Sequence, residues 1–321
     1  MKHLKKLAKL AGHVLMLAAV VFLVRKFINM DVDFASLAEP HVLAGLVLAF
    51  VTLTAVVVCN TYPWLVFVQS LSGTKIPFRQ AMPVFTRSNL YKYVPGNVFQ
   101  YIGRNQLAAD MQISHVDVAC ATILDVLFCV LSTGVISVLL LGGTIMTLMQ
   151  EYGKNFLLIG GIGIAAVLVL AGVLFWKFRE KCREFLLRYR KAFAKENRAL
   201  LVRGILYYFL QNAVSAAVYA LVLWLVFQAG GTAVTADTLV TLTGAFLFAW
   251  IVGFITPGAP GGIGIRESVM LFICGGAFEQ EVLLFVLVLR IASILADAAG
   301  FITSARSPRW QTRLKANSKG K

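Results

Sequence analysis

The stretch Thr256-Pro257-Gly258-Ala259-Pro260-Gly261-Gly262-Ile263-Gly264-Ile265-Arg266-Glu267 breaks an otherwise apolar region, and its reading decides the fold. Two prolines and four glycines between 257 and 264 do not continue a helix. An apolar arm, 239–256, precedes the break, and a shorter arm of about a dozen residues follows it. At about 1.5 Å per residue the second arm reaches roughly 18 Å, short of the roughly 30 Å hydrocarbon core of a bilayer. A full crossing by 239–256 would demand another before residue 281, and no segment there is long enough. Residues 239–277 therefore read as a re-entrant helical hairpin that enters from outside, turns within the membrane and leaves on the same side.

The composition supports the membrane setting. Of 321 residues 59% are hydrophobic and 14% charged, against about 45–50% and about 25% in a soluble domain. The excess apolar surface has to face lipid. Six stretches are long enough to cross as helices: 11–28, 41–68, 116–141, 156–176, 203–228 and 281–303. Lys2, Lys5, Lys6 and Lys9 precede the first like the start of a signal peptide, yet no small-residue cleavage site follows, so 11–28 is expected to remain as a span. The expected fold is all-α and integral to the membrane, with about six full transmembrane helices and two re-entrant hairpins.

Charge sets the orientation. The N-terminal tail, residues 177–203 and the tail after 304 are rich in Lys and Arg, whereas 29–40, 142–155 and 229–238 are acidic or near neutral. The positive-inside rule then puts both termini in the cytoplasm of a multi-pass protein of the cell (inner) membrane. The net charge of +15, which in a soluble protein would suggest nucleic acid, fits anionic lipid headgroups here. The stripe Phe178, Cys182, Phe185, Tyr189, Phe193 and Leu200 in 177–203 reads as a basic amphipathic helix lying on the cytoplasmic lipid surface.

A shift of 162 residues superposes the two halves. Span 41–68 falls on 203–230, 116–141 on 278–303, and Pro95-Gly96 on Pro257-Gly258. Arg104 falls on Arg266, so both halves carry Pro-Gly-x7-Arg. Residues 78–110, with Arg79, Arg87, Lys92 and Arg104 among aromatics, then become a second re-entrant hairpin entering from inside. Three crossings separate each span from its counterpart, which inverts the copies, a plan used for alternating access. The repeats are 1–141 and 142–305, followed by a basic cytoplasmic tail, 306–321.

Broken helices at membrane depth are tolerated where protein or a watery cavity satisfies the backbone. Gly258, Gly261, Gly262 and Gly264 let the backbone approach a ligand, and Arg266 adds a guanidinium fork at the start of the second arm. Pro95, Gly96, Asn97 and Arg104 form the matching set in the first half. Oriented amides, a positive helix end and an arginine suit a lipid phosphate. The bland alternative is a tight turn in which Arg266 neutralises Glu267. Asp125, Arg290 and Asp297 lie inside apolar spans, where a central charge costs about 2.5–3.5 kcal/mol, so each faces a partner or a cavity. Arg290 and Asp297 share a helical face but stand about 10 Å apart in rise, too far for contact. Asp125 has Arg290 or Arg104 as candidate partners, and a buried ion pair and a coupling-ion or proton site are equally compatible with these three. His3, His13, His41 and His115 form no metal-ligand spacing with the cysteines, so neither metal nor cofactor is expected. Nucleotide-binding and nucleophile-elbow motifs are absent from the sequence.

The run Pro257 to Glu267, with Tyr93-Val94-Pro95-Gly96 and Gly103-Arg104 in the first half, resembles the flippase-like membrane family named after lysylphosphatidylglycerol synthase. The resemblance covers about residues 1–305 and implies a lipid flippase or lipid-transfer role. In the multiple-peptide-resistance factors such a domain is fused to a soluble aminoacyl-transferase. This chain ends about 18 residues after its last span, so that domain is not expected here.

The leading expectation is a transporter that moves a phosphate-bearing lipid, a phospholipid or a polyprenyl-linked glycolipid, between leaflets. Its partners are membrane lipids and, as a candidate, a separate lipid-modifying enzyme; nucleic acid is not one. One alternative is an integral-membrane enzyme with Asp125, Asp297 or Glu267 as acid or base. Another is a scaffold for a separate synthase.

Overall fold

The computed structural model describes residues 37–93, 99–111, 113–144, 187, 189–190, 193–256, 260–262, 264–274 and 278–305. Spans 11–28 and 156–176, residues 177–186, 188, 191 and 192 of the basic segment, and the tail 306–321 lie outside the described residues. Among the described residues the chain is built from helices, without a strand, and is an all-α membrane protein.

Helix α1 (Pro40–Cys59) starts with proline at its first position, where no backbone donor is lost, and leads almost directly into α2 (Thr61–Ser72). Asn60 makes the joint, its amide returning to the Val56 carbonyl at 2.9 Å. Helix α3 (Phe78–Asn89) continues through a 3-10 turn, Leu90–Tyr93, and α4 (Phe99–Ala108) packs back against it. Helix α5 (His115–Leu141) is capped by Ser114, which accepts from the Val116 amide at 3.3 Å. Four more α-helices follow among the described residues. Helix α6 (Arg198–Ala229) runs unbroken for 32 residues. Thr235 caps α7 (Ala236–Ile255), which stops at Thr256, just before Pro257. A 3-10 turn (Pro260–Gly262), α8 (Ile265–Cys274) and α9 (Glu279–Ala305) follow.

Five helical stretches have the length and composition to cross a membrane: Pro40–Ser72, His115–Leu141, Lys195–Ala229, Ala236–Ile255 and Glu279–Ser304. Four of them coincide with expected spans. The fifth, α7, is the first arm of the hairpin read at 239–277; the helix begins three residues earlier, at the Thr235 cap, and its 20 residues amount to a full crossing in length. Helix α8, at 10 residues, is as short as expected.

Large apolar side chains point outward on these helices, among them Val47 and Val51 on α1, Leu139 on α5 and Leu210 on α6. A soluble monomer does not leave such a surface exposed. The buried positions form two clusters. One gathers α1, α6, α7 and α9 around Phe227, Phe246 and Phe285; the other gathers α2, α3 and α5 around Trp64, Phe67 and Phe85. Val282 through Leu289 of α9 are all buried, which makes α9 the most enclosed of the five candidate spans.

Small residues let the helices touch. A Cβ at Gly244 of α7 would lie 2.9 Å from Leu140 of α5, and one at Gly300 of α9 would lie 2.8 Å from Val57 of α1. Without a hydrophobic driving force between lipid-embedded helices, such close contact supplies much of the packing energy. The main cross-half contacts are α9 on α1 and α3, α6 on α1, α2 and α5, and α7 on α5. At their meeting point the two short turns, 90–93 and 260–262, also touch.

Candidate functional site

A cavity of about 240 Å³ lies where those two turns meet, lined by residues from both halves. Its walls hold Arg104, Asp125, Arg266, Arg290 and Asp297, along with Gly261 and Gly262, so these expected residues are brought together. Pro95, Gly96, Asn97 and Gly258 lie outside the described residues.

The first half contributes a closed pair. Arg104 of α4 donates to Asp125 of α5 at 2.9 Å, to Ser88 at 3.2 Å and to Asn89 at 3.3 Å, while its guanidinium lies 4.0 Å over the Phe85 ring. Of the two partners considered for Asp125, Arg104 is the one in contact. The other Asp125 oxygen takes the Tyr208 hydroxyl of α6. Arg104 and Asp125 are both buried, and every Arg104 nitrogen and both Asp125 oxygens have a partner, as a desolvated pair requires.

The second half contributes a pair of opposite polarity. Here the carboxylate stands on the short helix and the guanidinium on the long one. Arg290 of α9 donates to Glu267 of α8 at 2.6 Å, and its other nitrogens reach the carbonyls of Gly262 at 2.9 Å and Gly261 at 3.3 Å. Glu267 also accepts the Gly264 amide at 2.8 Å. Gly261, Gly262 and Gly264 have φ of 59°, 72° and 81°, a region closed to most side chains, which turns the 261 and 262 carbonyls onto Arg290. The Gly264 amide, expected to face a ligand, is thus engaged by Glu267.

Arg266 is different. It makes no ion pair or hydrogen bond among the described residues, and its Nε is buried without a partner. Its guanidinium lies 5.9 Å from the Trp250 ring, and its stem passes so close to Gly253 that a Cβ there would meet it at 2.9 Å. Glu267, its sequence neighbour, is held by Arg290 instead. Lys92, Arg104 and Arg290 each have a carboxylate, so Arg266 is the cavity cation left uncompensated among the described residues.

Asp297 finds its partners, Tyr93 and Lys92, 204 and 205 residues away in sequence. Its Oδ2 receives Lys92 Nζ at 2.6 Å and the Tyr93 hydroxyl at 2.7 Å; its Oδ1 is buried and unpartnered. Asn60 Oδ1 and Gln211 Oε1 are unpartnered as well, and both residues line the cavity. Unmatched buried polar atoms are rare in folded proteins, and their concentration in one cavity marks a place that receives polar groups.

Lys92 and the polar face of α6 were not among the expected site residues. A lysine inside a segment read at membrane depth was one available signal. Another was the spacing Tyr208, Asn212, Ser215, Tyr219, a polar stripe of helical period in a long apolar span. All four line the cavity, and Asn212 is fixed by a 2.8 Å bond to Ser132. His/Cys/Asp/Glu groupings able to hold a metal are absent among the described residues.

The family model described as the lysylphosphatidylglycerol synthase TM region matches residues 9–299. No curated protein and no solved structure matches the chain.

Proposed function

The chain belongs to the family of the lysylphosphatidylglycerol synthase transmembrane region, a membrane domain associated with lipid handling, and from that premise we propose that it moves a phosphate-bearing lipid between leaflets. The observation that carries the reading is Arg266. A guanidinium without a counter-charge, facing a cavity whose other cations are matched, is complementary to an anion. A phosphate accepts its fork of donors in bidentate fashion, and Trp250 and Gly253 hold the side chain ready.

The inverted repeat is part of the proposal. Helices α4 and α8 are 10 residues each and α5 and α9 are 27. Under the correspondence of α1–α2 with α6, α3 with α7, α4 with α8 and α5 with α9, α3 on α9 mirrors α7 on α5, and α4 on α5 mirrors α8 on α9. Two hairpins whose tips touch at one cavity suit a substrate exchanged between sides by rocking one half against the other. The hairpins reach that point from opposite sides of the cell membrane, and both termini are cytoplasmic, in line with the positive-inside charge bias.

The test is reconstitution into vesicles with a headgroup-labelled phospholipid and a polyprenyl-phosphate analogue. Accelerated transbilayer movement, lost in Arg266→Gln with the lipid chemically unchanged, supports transport. A covalently altered lipid would replace transport with enzyme chemistry. A folded protein that neither moves nor binds lipid leaves the scaffold role.

A further inference from the structure

We propose that anion binding in the cavity is linked to uptake of one proton by Asp297, so that lipid phosphate and proton are carried together; the linkage rests on the cavity being the lipid-phosphate site.

The asymmetry of the Lys92–Asp297 bridge leads to it. Asp297 is 0% exposed, whereas the Lys92 side chain is 30% exposed and sits on the turn after α3. The lysine can swing; the carboxylate, fixed on the enclosed helix α9, cannot follow. A phosphate drawn into the cavity by Arg266 competes with Asp297 for the Lys92 ammonium. Once Lys92 turns to the phosphate, Asp297 keeps only the Tyr93 hydroxyl, and its second oxygen already has no partner. A buried carboxylate stripped of its cation neutralises itself by taking a proton from water. The vacant Oδ1 is the atom that receives it. The balance is simple: one negative charge enters with the phosphate, one positive charge enters as the proton, and no covalent bond to carbon or phosphorus changes.

The surroundings offer Asp297 no replacement cation. Helix α1 carries no charged side chain between Val42 and Asn60 and ends in the thiol of Cys59. Arg87 of α3 is engaged about two turns further along α9, donating to Ser304 at 3.0 Å and lying over Phe301. On α8, Glu267 is tied to Arg290 of α9, and Arg266 is the group that meets the phosphate. From α6 the cavity receives the phenols Tyr208 and Tyr219, the first bound to Asp125.

The experiment measures binding of a fluorescent short-chain phosphatidylglycerol to the purified full chain in detergent as a function of pH. This probe is a phosphodiester and does not itself titrate near neutrality. Over the range in which the free protein holds Asp297 ionised and the complex holds it protonated, affinity falls about tenfold per pH unit. In Asp297→Asn the affinity is expected to be independent of pH over that range. A parallel measurement needs no variant: in weakly buffered solution, binding of the probe to the unmodified protein takes up one proton per phosphate, read with an indicator dye. Intact binding with no pH dependence and no proton uptake overturns the linkage and leaves the lipid site standing. A slope that survives in Asp297→Asn assigns the proton elsewhere and also overturns it. Absence of binding at every pH removes the site and the linkage together.

Discussion

Glu267 turns away from its sequence neighbour Arg266 and takes its hydrogen bond from Arg290, 23 residues on, at 2.6 Å. That exchange satisfies one arginine inside the protein and leaves the other directed at the cavity. It also separates two classes of arginine that are chemically identical in the sequence, one bracing helices and one available to a ligand.

Arg266→Gln is expected to fold and to lose lipid-phosphate binding. A bidentate charge-assisted pair contributes about 1.5–3 kcal/mol, about one to two orders of magnitude in affinity. Arg266→Lys recovers part of the loss, because it keeps the charge and lacks the planar fork. Thermal stability and lipid affinity measured on the same purified variants check this; a large drop in melting temperature would place Arg266 among the braces.

Arg104→Gln is expected to do the reverse. It leaves Asp125 buried with the Tyr208 hydroxyl as its remaining partner, and breaking a buried pair costs about 3–5 kcal/mol. The second change Asp125→Asn restores most of that. A double-mutant cycle on thermal unfolding gives the answer, and additive losses would remove the pair as a brace.

Tyr208→Phe removes one hydrogen bond to a carboxylate and nothing else of the ring. The expected cost is about 1.5–3 kcal/mol, smaller than that of Arg104→Gln. Comparing the two unfolding midpoints on the same preparation tests the ordering.

Gly262→Ala is expected to disable the site while sparing most helical structure. The residue sits at φ 72°, and a Cβ would lie 2.9 Å from the Gly253 carbonyl and 3.0 Å from Arg266 Nε. Circular dichroism close to the unmodified protein, with lipid affinity reduced at least tenfold, is the expected pair of readings. Unchanged affinity would sever the turn from the site.

Opposed entry of the two hairpins is open to thiol labelling. On a cysteine-free background, Thr74→Cys and Ala233→Cys, in the exposed loops that lead into α3 and α7, should react with an impermeant reagent from opposite sides of the membrane. Labelling of both from one side only is incompatible with an inverted repeat.

Much of the architecture was legible because lipid imposes a simple code. Long apolar runs became α1–α2, α5, α6 and α9 within the described residues, and the Pro-Gly break marked the end of α7. The sequence also pointed to Arg104, Asp125, Arg266, Arg290 and Asp297 as charges needing an explanation at membrane depth. Their pairing was hidden for a physical reason. Asp125 could reach either of two arginines, and the choice depends on helix packing rather than on local pattern. Lys92 sits 205 positions before Asp297 in the chain, so only the packing of the 90–93 turn against α9 brings them to 2.6 Å. The glycine carbonyls around Arg290 were equally unreadable, because positive φ at three glycines decides which way each peptide faces.

The touching turns carry a genetic consequence. A Cβ at Gly261 would lie 3.9 Å from the Tyr93 ring, so each turn is part of the other's mould. Lesions at residue 93 should find their suppressors near 261, and lesions at 261 should find theirs at 93, well over a hundred codons away. The two halves descend as a matched set: exchanging one half with that of a distant relative should inactivate the protein unless both tips travel together.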